Sequence, residues 1–321
     1  MVVISILIVN YNGKSLLKVI LDSISRISYP NKKDYEVIVV DNNSTDESIE
    51  FLRKNYKNVK IVQNKANIGY VGINAGLNLC RGKYIFFTNN DISLDKNCLK
   101  NLLAMLEKNK DVGIASPKVV NYFNKNLRSC GTWVSRCFYN GHFKSNKDFV
   151  KEIPYMGIAM IRKSIVDKFG YLFDEDYFTY AEDLDLGLRA RLLGYKVVHI
   201  PDAMIYHMHE ATLGKCKKYI LTYLMERNLL STFIKIMSVK NIIFFSPYVL
   251  LMRLMAIFKD ILTLRLLNAI ARIMAIFAVV FKLPSLLRKR ASIQKLRRKD
   301  DKFLLQVFSE DYLFGSQKIN V

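Results

Sequence analysis

Residues 4–12 read ISILIVNYN and residues 37–46 read VIVVDNNSTD, two apolar, mostly β-branched runs that each end in polar residues. Neither run alternates cleanly between apolar and polar residues, as is typical of strands buried on both faces. Helix-length segments separate these and further apolar runs up to about residue 120, which predicts an α/β fold with a mostly parallel sheet and crossover helices. The polar residues then follow the carboxyl ends of the strands, where such sheets bind ligands.

Five strands and four helices are predicted in this first part of the chain. The strands are Ile4 to Val9, Val37 to Val40, Val59 to Val62, Tyr84 to Thr88 and Val112 to Ser116. The helices lie near residues 15–27, 46–56, 71–80 and 97–109, and Ser44 to Glu47 fit a capping box before the second. Residues 117–154 form either a functional insertion or a small edge hairpin. Ordered structure resumes at 155–161, with a helix at 182–193 and a strand at 196–200.

Composition and charge narrow the class of protein. Of the 321 residues, 51% are apolar and 24% charged, which excludes a disordered chain. Lys and Arg exceed Asp and Glu by 49 − 28 = 21, so a polyanionic partner is expected: nucleic acid, anionic lipid or a phosphate-bearing small molecule. The five scattered cysteines contain no Cys-x-x-Cys pair, which favours a reducing compartment without a zinc or redox site. The apolar N-terminus has no basic leader and is expected to be a strand, not a signal peptide.

Polar clusters follow the strands, and each has a structural and a functional interpretation. Asp41 either shapes a turn or accepts hydrogen bonds from a nucleoside. The glycine-punctuated loop 64–74 is either a plain turn or an anion site at a helix start. Asp91 opens a turn or holds a divalent cation.

Two later clusters are also open to both interpretations. Three acids (Glu182, Asp183 and Asp185) begin the helix at 182–193, where they either complement the helix dipole or supply a general base. The histidines of residues 199–209 are either structural or metal ligands.

In chain order, these residues resemble the inverting glycosyltransferases of glycosyltransferase family 2, particularly the rhamnosyltransferase-like members. The resemblance runs from Val3 to about Asn228 and includes the strand-end clusters. The later matching segments are Asn67-Ile68-Gly69-Tyr70, Phe173-Asp174-Glu175, Glu182-Asp183-Leu184-Asp185 with Arg189, His207 and Arg227-Asn228. The resemblance implies a GT-A fold with a Rossmann-like sheet, a nucleotide-diphosphate sugar donor and a divalent cation, Mg²⁺ or Mn²⁺.

The resemblance also implies roles for single residues. The nucleotide-sugar-binding residues would be Asn10, Tyr11, Asn12, Asp41, Asn67, Gly72, Asn74 and Asn90. Asp91 matches the last acid of the family's Asp-x-Asp metal motif, and His207 matches a histidine that completes the metal site in some members. Asp183 matches the catalytic base, and Gly157 and Glu182 would lie on the acceptor side.

Two departures from the family pattern refine the expectation. Asn89 stands where the metal motif usually has its first acid, which implies a weaker or more substrate-dependent metal site. The Gln-x-x-Arg-Trp signature of processive synthases is absent, so transfer of one sugar per encounter is expected.

The C-terminal third differs from the rest of the chain, so we expect a catalytic domain at 1–215 and a basic amphipathic helical region at 216–321. Residues 242–258 and 266–283 are apolar but contain Arg253 and Arg272, which favours helices at a membrane interface over spanning helices. Nearby basic clusters predict attraction to anionic lipid. The alternative is a soluble helical cap that packs on the catalytic domain.

The expected function is therefore metal-dependent transfer of one sugar to a glycan or lipid-linked acceptor in cell-surface polysaccharide biosynthesis. The expected location is the cytoplasmic face of the cell membrane, or alternatively the cytoplasm. Alternatives are a transferase that charges a polyprenyl phosphate and a catalytically inactive membrane scaffold. A nucleic-acid partner is not expected, because the basic excess accompanies apolar helices and no recognised nucleic-acid motif is present.

Overall fold

The structure is a computed structural model that describes residues 2–29, 34–143, 151–208 and 217–309. His209 and the expected domain boundary at residue 215 lie outside these ranges. Within them the chain forms thirteen strands, numbered in chain order. They are β1 (Ile4–Asn10), β2 (Tyr35–Asp41), β3 (Val59–Gln63), β4 (Tyr84–Asn89), β5 (Ile92–Leu94), β6 (Val112–Asn121), β7 (Leu127–Ser129), β8 (Thr132–Ser135), β9 (Asn140–His142), β10 (Lys151–Glu152), β11 (Ala159–Arg162), β12 (Lys196–His207) and β13 (Phe308–Ser309).

A ten-stranded mixed sheet forms the centre of the molecule. Its main order is β10-β12-β6-β11-β4-β1-β2-β3, with β5 paired to β12 and β7 to β6. Strands β3, β2, β1 and β4 are parallel, and β11 runs antiparallel between β4 and β6. Asn10 lies beside Asp41 in the register, and Val9 lies beside Asn89. The predicted α/β architecture is therefore confirmed, and the polar clusters after β1, β2 and β4 share one edge.

Helices cover the sheet and continue into the C-terminal third. They are α1 (Lys14–Ser25), α2 (Ser48–Asn55), a 3₁₀ helix (Tyr70–Leu79), α3 (Cys98–Lys108), α4 (Lys163–Phe169), α5 (Glu182–Leu192), α6 (Lys218–Ile236), α7 (Val239–Leu262), α8 (Leu266–Phe281), α9 (Leu283–Lys295) and α10 (Asp301–Leu305).

Three local predictions were wrong, and in addition the strand predicted to end at Ser116 continues to Asn121. Residues 70–79 form a 3₁₀ helix instead of an α-helix, in a segment where a Cβ on Gly76 would come within 2.7 Å of Val40. The capping box does not form, because the Ser44 hydroxyl donates to Asp41 (2.6 Å) and α2 begins only at Ser48. The strand predicted to end at residue 200 continues to His207 after a register irregularity between Ile200 and Met204.

The segment at 117–154 contributes to a second, smaller layer. Its β8 lies between β9 and β13 in a three-stranded sheet, so the C-terminal end of the described chain pairs with this insertion. Val134 and Phe138 share a core with Leu184 of α5 and Phe233 of α6. The C-terminal helices therefore pack directly against the helix that carries the predicted catalytic base.

The C-terminal helices include candidates for membrane spans. The helix α7 is long and apolar enough to cross a membrane, and α8 with α9 would pass the same test as a bent pair, so up to two spans are allowed by length and composition. Long core helices of soluble proteins share these properties. The burial of these helices and the positions of their charged residues must therefore distinguish a membrane span from a helix that packs on the protein.

A buried network of charges joins α6 to the segment around α5. The Lys235 ammonium lies 2.5 Å from an Asp174 carboxylate oxygen and 2.7 Å from Asp185, and all three side chains are almost fully buried. Arg189 donates to Asp185 (2.7 Å) and to the Leu172 carbonyl (2.6 Å). Burial opposes the charged form of Lys235, but the surrounding carboxylates dominate and raise its pKa well above the usual value.

Replacement of Lys235 by methionine should destabilise the fold strongly. It leaves two buried carboxylates without their shared cation, a change that costs about 3–5 kcal/mol in buried ion pairs. The free energy of unfolding in urea measures the effect. The control is Lys163→Met, which removes the 2.6 Å surface pair with Asp167 and should cost at most about 1 kcal/mol. Equal losses in the two variants would contradict a central role for Lys235.

Candidate active site

The ends of β1 and β2 are joined by the Asp41 carboxylate, which is fully buried. It accepts hydrogen bonds from the Asn10 side-chain amide (2.7 Å), from the Ser44 backbone N–H (2.8 Å) and from the Ser44 hydroxyl (2.6 Å). Asn12 joins the same cluster, since its backbone N–H donates to Ser44 Oγ (2.8 Å). Asp41 therefore shapes this loop, and its contact with a nucleotide stays a prediction.

The ends of β1 and β4 are joined by a second pair of amides. Asn90 donates to the Asn10 side-chain carbonyl (2.6 Å), and both side chains are buried. A Cβ on Gly13 would lie 2.0 Å from Asn90 Nδ2, so only glycine fits at this crossing. Tyr11 lies half-buried in the same loop. Thus Asn10, Tyr11, Asn12, Asp41 and Asn90 lie together, as predicted.

The loop before the 3₁₀ helix is tied to the end of β2 through Asn42. Asn42 donates to the Gly69 carbonyl (2.7 Å) and accepts from Asn64 (2.7 Å). Asn67 accepts from the Gly69 N–H (3.0 Å), and a Cβ on Gly72 would lie 2.2 Å from Asn42 Oδ1. Asn67 and Gly72 therefore lie at this edge of the sheet.

Asn74 makes a different set of contacts. It donates to the Phe173 carbonyl (2.6 Å) and accepts the N–H groups of Leu172 and Phe173 (3.1 Å each). These contacts connect the 3₁₀ helix to the segment that leads towards α5. The structure thus gives Asn74 a scaffolding contact, while its predicted role beside the nucleotide stays a prediction.

Asp91 and His207 come together although they lie far apart in the sequence. Asp91 Oδ1 lies 3.6 Å from His207 Nε2. The Asp91 side chain is 14% exposed and the His207 side chain 13% exposed. The pairing of β12 with β5 brings His207 beside Ile92. Burial, with a smaller contribution from the charge of Arg128, lowers the pKa of His207 to about 4, so the imidazole is neutral near pH 7.

A neutral imidazole beside a carboxylate fits a divalent cation. Mg²⁺ commonly uses one or two protein carboxylates and completes its shell with water and substrate phosphates. Within the described residues, no three His, Cys, Asp or Glu side chains gather as a complete metal site. Asp91 and His207 therefore fit a site that the substrate helps to complete.

The second group of acids lies at the start of α5. Burial raises the pKa of Asp183 to about 6, against a hydrogen bond from the Leu184 N–H (2.8 Å). Burial and the neighbouring Asp183 charge raise the pKa of Glu182 well above its usual value. No hydrogen-bond donor among the described residues reaches Glu182 Oε2. Burial therefore disfavours the charged form of Glu182, while Asp183, with a pKa of about 6, is mostly ionised near pH 7 and able to accept a proton.

Tyr70 connects the two ends of the site, a role that the sequence reasoning missed. Its hydroxyl donates to the Gly157 carbonyl (2.6 Å), and a Cβ on Gly157 would lie 3.2 Å from Asp183 Oδ2. Burial and then the charges of Glu182, Asp183 and Asp91 raise the pKa of Tyr70. Tyr70 therefore lies within electrostatic reach of both acidic groups.

Backbone strain precedes the acids. Tyr180 and Ala181 have φ values of +68° and +63°, a conformation that costs non-glycine residues about 1–3 kcal/mol each. Asn228 donates to the carbonyls of Thr179 (3.0 Å) and Tyr180 (2.7 Å) and so holds this turn. The turn determines the direction in which the Glu182 and Asp183 side chains project at the start of α5. The Arg227-Asn228 match thus marks a contact that supports the site from α6.

The chain is similar to known proteins in sequence and in fold. The sequence profile of Glycosyl transferase family 2 matches residues 5–170. The chain is 33% identical over 124 residues to a poly(ribitol-phosphate) beta-glucosyltransferase of Bacillus spizizenii, covering 37% of this chain and 19% of that protein. It is 31% identical over 122 residues to the Staphylococcus aureus poly(ribitol-phosphate) beta-N-acetylglucosaminyltransferase TarS, covering 36% and 21%. The chain thus spans about one fifth of the length of these relatives.

Solved structures share the fold. S. aureus TarS 1–349 in complex with UDP superposes with a TM-score of 0.55 at 18% identity, covering 73% of this chain and 66% of that one. GalNAc-T7 with UDP, GalNAc and Mn²⁺ gives 0.59 at 15% identity, covering 72% and 47%. The likeness confirms a GT-A-type fold. Since the family profile matches more than half of the residues, the chain belongs to glycosyl transferase family 2.

Proposed function

We propose that the protein is an inverting, metal-dependent transferase that moves one sugar from a nucleotide-diphosphate sugar to an acceptor hydroxyl. The observation that carries the proposal is the separation of two chemistries: a partly exposed Asp183 with a raised pKa at one end, and the Asp91–His207 pair at the other. A single displacement needs a base at the attacking hydroxyl and positive charge at the leaving diphosphate.

Each group of residues in the site has its own role in the proposed reaction. Asp183 would accept the proton of the acceptor hydroxyl, and the Tyr70–Gly157 hydrogen bond would hold the floor of the acceptor side. Asp91 and His207 would hold a divalent cation, Mg²⁺ or Mn²⁺, which when bound stabilises negative charge on the diphosphate. The asparagine cluster of β1, β2 and β4 would bind the nucleotide at the shared sheet edge.

The names of relatives support a donor and an acceptor class. TarS structures contain UDP and UDP-GlcNAc, which favours a UDP-sugar as the donor. A dolichyl N-acetyl-alpha-D-glucosaminyl phosphate glucuronosyltransferase of Methanococcus voltae is 21% identical over 68% of this chain. We therefore favour a lipid-linked sugar acceptor at the cytoplasmic membrane face, in cell-surface polysaccharide biosynthesis. Direct charging of a polyprenyl phosphate and an inactive scaffold remain the alternatives.

Asp183→Asn should abolish turnover without loss of folding. Removal of a general base typically lowers kcat by about 10²–10⁴. Folding raises the pKa of this carboxyl from 3.8 to about 6, so its ionisation above that range opposes folding. The variant should therefore melt no lower than wild type at pH 8, with a smaller difference at pH 5. Product formation and thermal melts measure both effects; full activity in a folded variant would remove Asp183 as the base.

The rate should depend on pH through Asp183. Since the ionised form is the base and its pKa is about 6, kcat/KM should fall about tenfold per pH unit well below pH 6. Glu182→Gln should leave this limb in place, because the raised pKa of Glu182 favours its neutral form and the amide has the same shape. A pH–rate profile of both proteins tests this. A shift of the limb in the variant would show that the two carboxyls share the titration.

Metal-assisted binding of the nucleotide should require Asp91 and His207. UDP at about 100 times its Kd should stabilise wild type by about 2.7 kcal/mol in the presence of Mn²⁺. Asp91→Asn and His207→Gln should lose the part of this stabilisation that depends on the metal, as measured by thermal shift. Asp111→Asn, which lies before β6 at the opposite end of the strands, should retain it. Equal stabilisation in all variants would argue against this metal site.

A further inference from the structure

The two arginines inside the apolar helices α7 and α8 turn towards the protein. Arg253 is fully buried, with its Nε 3.4 Å from a Glu226 carboxylate oxygen of α6, and its guanidinium donates to the Cys137 carbonyl. Arg272 contacts the same Glu226 carboxylate and donates to Asp260 (2.8 Å). Because both arginines converge on one carboxylate, the opposite faces of α7 and α8 both point away from α6.

Those opposite faces are apolar and open. They define the outer face, represented by Phe244, Leu254 and Phe258 of α7 and by Ile270, Phe277 and Phe281 of α8, each more than half exposed. The three residues of α7 are 10 and 4 positions apart and those of α8 are 7 and 4 positions apart, which places each set on one side of its helix. Contiguous exposed apolar patches larger than a few hundred Å² (~300–600) are uncommon on monomers and mark interaction sites.

Exposed cations lie on, between and after the two helices that carry the outer face. Residues 239–299 contain thirteen Lys and Arg and a single acid, Asp260, which is buried against Arg272. Lys240, Lys259, Arg265 and Arg288 are exposed. A cavity of about 480 Å³ at the turn between α7 and α8 is lined by Lys218 and Arg265 together with leucines 264, 266 and 267. Cationic groups beside apolar side chains match a phospholipid, with its anionic headgroup and its acyl chains.

We propose that the outer face docks in the plane of an anionic phospholipid bilayer, with α7 and α8 lying along the surface. A spanning α7 would have to expose or unpair Arg253, which the protein uses for its own core. A second copy of the chain would bring the same cations against one another, whereas anionic lipid neutralises them. The inference deepens the membrane partner of the proposed function and rests on that function only for its purpose, access to a lipid-linked acceptor.

Vesicle flotation of the full chain tests the proposal. Wild type should float with phosphatidylcholine vesicles that contain about one third phosphatidylglycerol, and high salt should weaken binding because it screens the cations. Phe258→Glu should reduce the bound fraction about tenfold, since a carboxylate then enters the lipid boundary. The matched control is Phe123→Glu, an exposed phenylalanine of the β6–β7 turn, which should float like wild type.

The charge contribution has its own matched pair. Arg265→Glu should weaken flotation, while Lys57→Glu, the same charge change at an exposed site after α2, should weaken it much less. Equal losses for each pair of variants would overturn the docking face, because net charge or general stickiness would then explain binding. Both phenylalanines are largely exposed, so neither substitution is expected to disturb the core.

Two further measurements separate the alternatives. Membrane-bound wild type should be released by alkaline carbonate; retention would show a spanning helix and overturn in-plane docking. A concentration-dependent dimer that Phe258→Glu dissolves, without vesicle binding by wild type, would assign the face to a second copy. Metal-dependent hydrolysis of UDP-sugars by wild type without vesicles is measured in parallel. Absence of hydrolysis with normal flotation would reject the proposed function and leave the docking inference intact.

Discussion

The ammonium of Lys235 is the contact on which the arrangement of the site depends. It lies between Asp174, in the segment before α5, and Asp185, within α5, and it is supplied by α6 from the C-terminal third. Lys289 of α9 contacts Asp174 from the partly exposed side (2.5 Å). Buried carboxylates are costly unless paired, and Lys235 is the cation that Asp174 and Asp185 share, so docking of α6 stabilises the loop and α5 together. The helical third is thus part of the scaffold that holds the acids at the start of α5.

The sheet could be predicted from the sequence because its strands follow from local patterns of apolar residues. Apolar runs such as 4–9 and 37–40 are too short and too β-branched for helices, and the ends of β1, β2, β3 and β4 could be located within two residues. Parallel pairing then required Asn10, Asp41 and Asn90 to share one edge, as observed. Boundaries failed where a tertiary contact overrode local preference, as at Ser44, whose hydroxyl satisfies Asp41 instead of capping α2.

The remaining features of the site could not be derived from the sequence, because they depend on contacts between distant segments. The hydrogen bond from Tyr70 to Gly157 joins residues 87 positions apart, and no sequence pattern predicts it. The pair Asp185–Arg189 has ordinary helical spacing, yet both side chains are completely buried. Burial, which changes the meaning of such a pair from a surface contact to a structural one, is a property of packing and not of spacing.

The C-terminal helices show the same limit in a form that bears on function. An arginine within an apolar run argues against a spanning helix on hydropathy alone, but it does not say which way the side chain points. Here Arg253 and Arg272 both contact Glu226, so their guanidinium groups are paired inside the protein. The outer face of α7 and α8 is therefore left apolar. The helical cap and the exposed face, which were alternatives at the level of sequence, are therefore two sides of the same helices. A helix can pack on the rest of the protein through its charges and still present an apolar outer face to a bilayer.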